Sequence, residues 1–84
     1  MDDVIRSPGQ PLALDRQRHF SAGFGCDFST VRIHADAPAA ASARALRANA
    51  YTVGEHIAFA PGRYEPDKVA GRRLLAHELA HVVQ

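Results

Sequence analysis

Leu74-Leu75-Ala76-His77-Glu78-Leu79-Ala80-His81-Val82-Val83 decides how the rest of this chain is read. Leu75, Leu79 and Val82 fall at i, i+4 and i+7, the spacing that lines one face of an α-helix with apolar side chains. Asp67 is the expected N-cap, and the helix is expected to run to about the chain end. Gly71 weakens its first turns by about 1 kcal/mol relative to alanine. The polar residues obey the same geometry. His77 and His81 lie four apart and share a face, with roughly 5–6 Å between their Cβ atoms. Two imidazoles so placed can each reach one Zn²⁺ at roughly 2.0–2.1 Å. Glu78 is turned about 100° from His77 around the helix axis, so it need not be a ligand and can stand beside such a metal. The pattern is H-E-x-x-H, in which zinc lowers the pKa of a water to about 7 and the glutamate acts as general base. The chemistry it points to is hydrolysis of a peptide or similar acyl bond.

Upstream, Tyr51-Thr52-Val53 and His56-Ile57-Ala58-Phe59 are β-prone and separated only by Gly54-Glu55. A two-residue loop with glycine first suits a type II′ hairpin. Val53 is expected to face inward on the first strand, and Ile57 and Phe59 on the second. Residues 56–59 are expected to form a sheet edge near the helix, where an extended peptide can add as a strand. Asp36 suits the N-cap of a helix that starts with Pro38 and runs from Ala39 to about Asn49. Its alanines favour helix and let it lie close against a sheet. Val31-Arg32-Ile33-His34 alternates as a short strand with Val31 and Ile33 inward. A first helix is expected from Pro11 to about Ala22, stopped by Gly23. Residues 1–10, containing Ser7-Pro8-Gly9-Gln10, read as a flexible lead-in. Residues 11–84 are then one α+β domain in the order helix, strand, helix, hairpin, helix, with H-E-x-x-H on the last helix.

Composition bounds the function classes. At 84 residues and 9.1 kDa the chain holds at most one small domain. Sixteen residues are alanine and only fifteen are Val, Ile or Leu, so the core is thin and marginal stability is expected without a ligand. Bound zinc would add stability by favouring the folded state. A net charge of +1 argues against an electrostatic nucleic-acid binder. The single cysteine excludes an internal disulfide and a C-x-x-C zinc clip. No 18-residue apolar run suggests a membrane span. The acidic start, Met1-Asp2-Asp3-Val4-Ile5-Arg6, lacks the apolar h-region of a Sec signal peptide.

Three separated blocks resemble a known family. They are Phe24-Gly25-Cys26-Asp27-Phe28-Ser29-Thr30-Val31-Arg32-Ile33-His34-Ala35-Asp36, Ala50-Tyr51-Thr52-Val53-Gly54-Glu55-His56-Ile57-Ala58-Phe59, and Gly71-Arg72-Arg73-Leu74-Leu75-Ala76-His77-Glu78-Leu79-Ala80-His81-Val82-Val83-Gln84. In this order they resemble the core domain associated with extracellular contractile injection systems, over roughly residues 11–84. Three ordered blocks are far more specific than H-E-x-x-H alone. The resemblance implies a bacterial, zincin-like metallopeptidase domain encoded with phage-tail-like injection particles, often joined to a toxin. The missing h-region and membrane span add the expectation of synthesis in the cytoplasm. The resemblance also implies His77 and His81 as zinc ligands and Glu78 as general base. The implied partners are a peptide or protein substrate, injection-particle components and a fused toxin domain, and export as injection-system cargo is part of the same expectation. The expected function is zinc-dependent peptide hydrolysis, including self-processing of a longer cargo or toxin. The alternative is a non-catalytic module that loads or targets cargo to the particle. Two departures from the family stand out. Cys26 occupies a position where a small residue is expected, and the chain stops at Gln84, so a domain truncated at its C-terminus is expected.

A catalytic zinc keeps three protein ligands and one open position. The third is expected from His34, from Asp36, or from residues beyond Gln84. Plainer roles compete: local hydrogen bonding for His34, and helix capping for Asp36. His56 is expected to face solvent or substrate, and His19 to face solvent. Cys26 reads as a half-buried filler rather than a zinc-blocking thiolate. Arg72-Arg73 reads as a solvated helix face, and Tyr64 as a packed turn residue rather than an oxyanion donor.

Overall fold

A computed structural model describes residues 8–84. Along the chain these form β1 (Gln10–Pro11), α1 (Leu14–Phe24), β2 (Arg32–His34), α2 (Ala37–Ala45), β3 (Ala50–Val53), β4 (His56–Phe59) and α3 (Val69–Val82). The expected order of elements holds, with β1 added in front. Most of the expected lead-in, residues 1–7, lies outside the described residues, but Gln10 joins Pro11 in a strand paired with Ile33 and Arg32. The class is α+β: three helices and a four-stranded mixed sheet in the order β1-β2-β4-β3. β2 and β4 run parallel, with α2 and β3 forming the crossover between them. The other two pairings are antiparallel.

The sheet order corrects one expectation. Residues 56–59 are not an edge: β4 is central, and the edges are β1 and, on the hairpin side, β3. The cause is burial on both faces. Ile57 and Phe59 enter the main core with Ile33, Leu12, Phe20, Phe28, Val31, Leu75 and Leu79. Ala58 points the other way and packs on Ala39 of α2. A strand covered on both sides sits inside a sheet, whereas every residue of β3 is only half-buried. The alanines of α2 do what their size suggests: Ala39 and Ala43 are fully buried, which brings that helix close to the sheet.

Helix boundaries move for local reasons. α1 begins at Leu14, three residues after Pro11, because Pro11 is taken by the sheet. It runs through Gly23 and stops at Gly25, whose left-handed backbone (φ 71°) lets its N–H donate to the Ser21 carbonyl. α2 is capped by Asp36, which accepts from the Ala39 N–H at 3.1 Å. It ends at Ala45 rather than near Asn49. Arg47 adopts φ 55°, with Arg47 N–H donating to Arg44 O and Ala48 N–H to Ala43 O. That pair of bonds is a Schellman stop. α3 starts at Val69 with Lys68 at the cap position, not Asp67. The Asp67 carboxylate instead pairs with Arg16, tying α1 to the entrance of α3. Gly71, weak by propensity, is required by packing. A Cβ there would lie 2.5 Å from the Glu65 carbonyl carbon and 2.8 Å from its Cβ.

Candidate metal centre

α3 carries His77, Glu78 and His81 on the turn that crosses β3. Leu75 and Leu79 are fully buried and anchor one face of the helix in the core. That rotation leaves His77 and His81 exposed and turns Glu78 inward, where it is 4 % exposed. The two Nε2 atoms lie 3.3 Å apart, with the rings nearly perpendicular at 86°. The ligand atoms of the three residues all lie within 4.8 Å of one another. An open cleft of about 610 Å³ covers them, and its opposite wall is Ala50, Thr52 and Gly54 of the edge hairpin. The Thr52 hydroxyl donates to Glu78 Oε1 at 2.8 Å and lies 3.3 Å from the Glu78 main-chain oxygen. It has one proton, and the carboxylate is the closer, charge-assisted acceptor.

Neither upstream candidate for a third ligand reaches this cleft. His34 stands opposite Ile33 on β2 and so faces α2, while α3 packs on the Ile33 face. The sheet lies between His34 and the H-E-x-x-H turn. His34 is buried, and its Nε2 lies 2.9 Å from His56 Nδ1. Asp36 is spent on the α2 cap. Both line a separate cleft with Gly9 and Gln10. Strand alternation already contained this result, because an inward Ile33 forces His34 to the other face.

His56 is half-buried on the His34 side, and His19 is exposed on α1. Tyr64 packs on Phe59, with ring centroids 5.0 Å apart, and burial raises its pKa above the ordinary phenol value. Cys26 is half-buried at the margin of the core, its thiol 3.7 Å from the Phe24 carbonyl. None of these four lines the cleft over His77, Glu78 and His81.

Thr52 was not singled out by the sequence, although the hairpin held the signal. A two-residue loop at Gly54-Glu55 pairs Val53 with His56 and Thr52 with Ile57. Directly paired residues share a face. Thr52, not Val53, therefore shares the face of Ile57 and meets α3. Val53 is half-buried and lies on the other face, with His56. The loop itself is as expected: Gly54 has φ 60° and Glu55 does not have a positive φ.

Residues 11–84 match the family model of the eCIS core domain. The chain belongs to that family. The membership ties this eCIS core domain to extracellular contractile injection systems. No curated protein and no solved structure is detectably similar to it. No helix among the described residues is long and apolar enough to cross a membrane.

Proposed function

We propose that this eCIS core domain is a zincin-like, zinc-dependent peptide hydrolase acting on an extended segment of protein, including self-processing of an injection-system cargo or toxin. The observation that carries the reading is the convergence of two exposed imidazoles and one buried carboxylate beneath an open sheet edge. The donor set suits zinc. Two imidazole nitrogens 3.3 Å apart are at about the separation expected of ligands that each lie roughly 2.0–2.1 Å from one tetrahedral ion. When bound, the ion supplies Lewis acidity for the carbonyl under attack and for the attacking water.

The rest falls to the chain's own residues. Val53 and His56 flank the hairpin loop, and Ala60 N–H donates to Asn49 O. Residues 49, 51 and 53 therefore point their main-chain groups at β4, and alternation turns those of Ala50 and Thr52 outward. An extended peptide can pair with that outward row beside His77, Glu78 and His81. Glu78 takes a proton from the water that adds to the carbonyl carbon. It passes the proton to the nitrogen that leaves as the C–N bond breaks.

The test is zinc content and peptide cleavage by the 84-residue chain, with His77→Ala and Glu78→Gln beside it. The reading expects one zinc per chain, lost in His77→Ala. It expects cleavage lost in Glu78→Gln, with zinc retained. A second reading draws on the described residues bringing only His77, Glu78 and His81 together, without a further ligand. On that reading the domain is a non-catalytic module that loads or targets cargo to a contractile injection particle. Particle loading that survives Glu78→Gln, with no cleavage by either form, would favour it.

A further inference from the structure

We propose that Thr52 is a positioning residue that couples docking of the peptide to the orientation of the base. The inference rests on the hydrolase reading and adds a residue to it. Three observations meet at this one position. The main-chain N–H and C=O of Thr52 belong to the outward row of β3, the row a docking strand would use. Its side chain stands roughly perpendicular to that row, down onto α3, because Thr52 pairs with Ile57 and shares that residue's face. There its hydroxyl donates to Glu78 Oε1 at 2.8 Å.

Glu78 is 4 % exposed, and Thr52 is its side-chain partner among the described residues. A buried carboxylate held by one hydroxyl has its rotation fixed by that hydroxyl. With one acceptor site of Oε1 taken by that hydroxyl, the carboxylate's remaining sites are left for the water. A hydroxyl at position 52 thus sets the carboxylate's rotation and the direction in which its free acceptor sites point. A peptide added to β3 orders the main chain of the same residue, so seating the substrate stiffens the support of the base. The coupling also defines the ligand. It is an extended, main-chain-read polypeptide with little demand on side chains at the residues paired with Ala50 and Thr52. A free amino acid presents no strand to pair.

Thr52→Val keeps the shape and removes the donor, while Thr52→Ser keeps the donor. The zinc-loaded chain is assayed with a quenched-fluorescent peptide selected from a random-sequence library. Thr52→Val is expected to lower kcat about tenfold or more, the scale of a misplaced catalytic group. KM should stay within about twofold, because main-chain pairing is unaltered, and Thr52→Ser should recover most of kcat. Unchanged kcat in Thr52→Val, with the wild type active, would overturn the inference and leave the hydrolase reading standing.

If the wild type cleaves nothing, the hydrolase reading fails on its own, and thermal unfolding decides the contact. Thr52→Val should lower the midpoint by about 4–8 °C when Glu78 is present. The drop should be much smaller in a Glu78→Ala background. Equal drops in both backgrounds would overturn the inference.

Discussion

His34 Nε2 lies 2.9 Å from His56 Nδ1 on the face of the sheet opposite the H-E-x-x-H turn. The other ring nitrogen of His34, Nδ1, is buried with no hydrogen-bond partner among the described residues. A hydrogen on Nδ1 would be an orphaned donor, so the His34 proton belongs on Nε2, donating to His56. An added proton must then sit on the partnerless Nδ1 or set two N–H groups face to face. Burial holds the His34 pKa below the ordinary histidine value of 6.5, the charge of His56 adds to this, and Asp36 opposes it.

The sign of the pH dependence follows. Below about pH 6.5 the unfolded chain binds a proton at this position more readily than the folded one. Stability rises with pH where the unfolded state holds more protons. The domain should therefore lose stability as pH falls from about 6.5 to 5. Thermal midpoints of the wild type and His34→Leu across that range check it. The variant should show a shallower slope, and an equal slope would separate the effect from His34.

Gly71 sets propensity against packing. On helix propensity alone, Gly71→Ala should stabilise α3 by about 1 kcal/mol. The new methyl would collide with the Glu65 carbonyl in the turn that precedes the helix. That turn is held by Lys68 N–H donating to Glu65 O and by the Lys68–Glu65 ion pair at 2.8 Å. Overpacking of this kind costs about 1–3 kcal/mol, so the net expectation is a loss. A urea midpoint above that of the wild type would show that the turn yields freely.

Asp36→Ala should cost about 1 kcal/mol by removing the N-cap of α2. The loss should appear in the denaturant midpoint with the slope unchanged, because the surface exposed on unfolding stays the same. Asp36→Asn, which keeps an acceptor, should recover most of it.

The two faces of the sheet should separate cleanly in metal binding. His77→Ala and His81→Ala are each expected to abolish tight zinc uptake by removing half of the imidazole pair. His34→Ala and Asp36→Ala should leave zinc stoichiometry unchanged, since both residues line a different cleft. Isothermal titration of the five proteins decides this, and loss of zinc in His34→Ala with the fold intact would relocate the third ligand.

Much of this structure was legible because its signals are local. The α3 periodicity, the Gly54-Glu55 loop and the Asp36 cap are each written within a few residues. Strand order was not legible, because the β2–β4 pairing joins segments across a whole helix and strand, and nothing in either segment names its neighbour. Gln10–Pro11 is too short to carry a period. The Asp67 cap failed because a residue distant in sequence, Arg16, competes for the carboxylate. At the candidate site, the juxtaposition of His77, Glu78 and His81 was readable from spacing alone. Thr52 needed the hairpin register carried through to its faces.

The open β3 edge has a consequence for the protein's own solution behaviour. Among the described residues no strand pairs with the outer side of β3, and such a row of main-chain donors and acceptors does not distinguish whose strand completes it. A second copy offering its own β3 would occupy the positions a peptide needs and lay its chain beside His77 and His81. On the proposed reading, a second copy would compete with the peptide for one strand, and dilution is expected to relieve that competition.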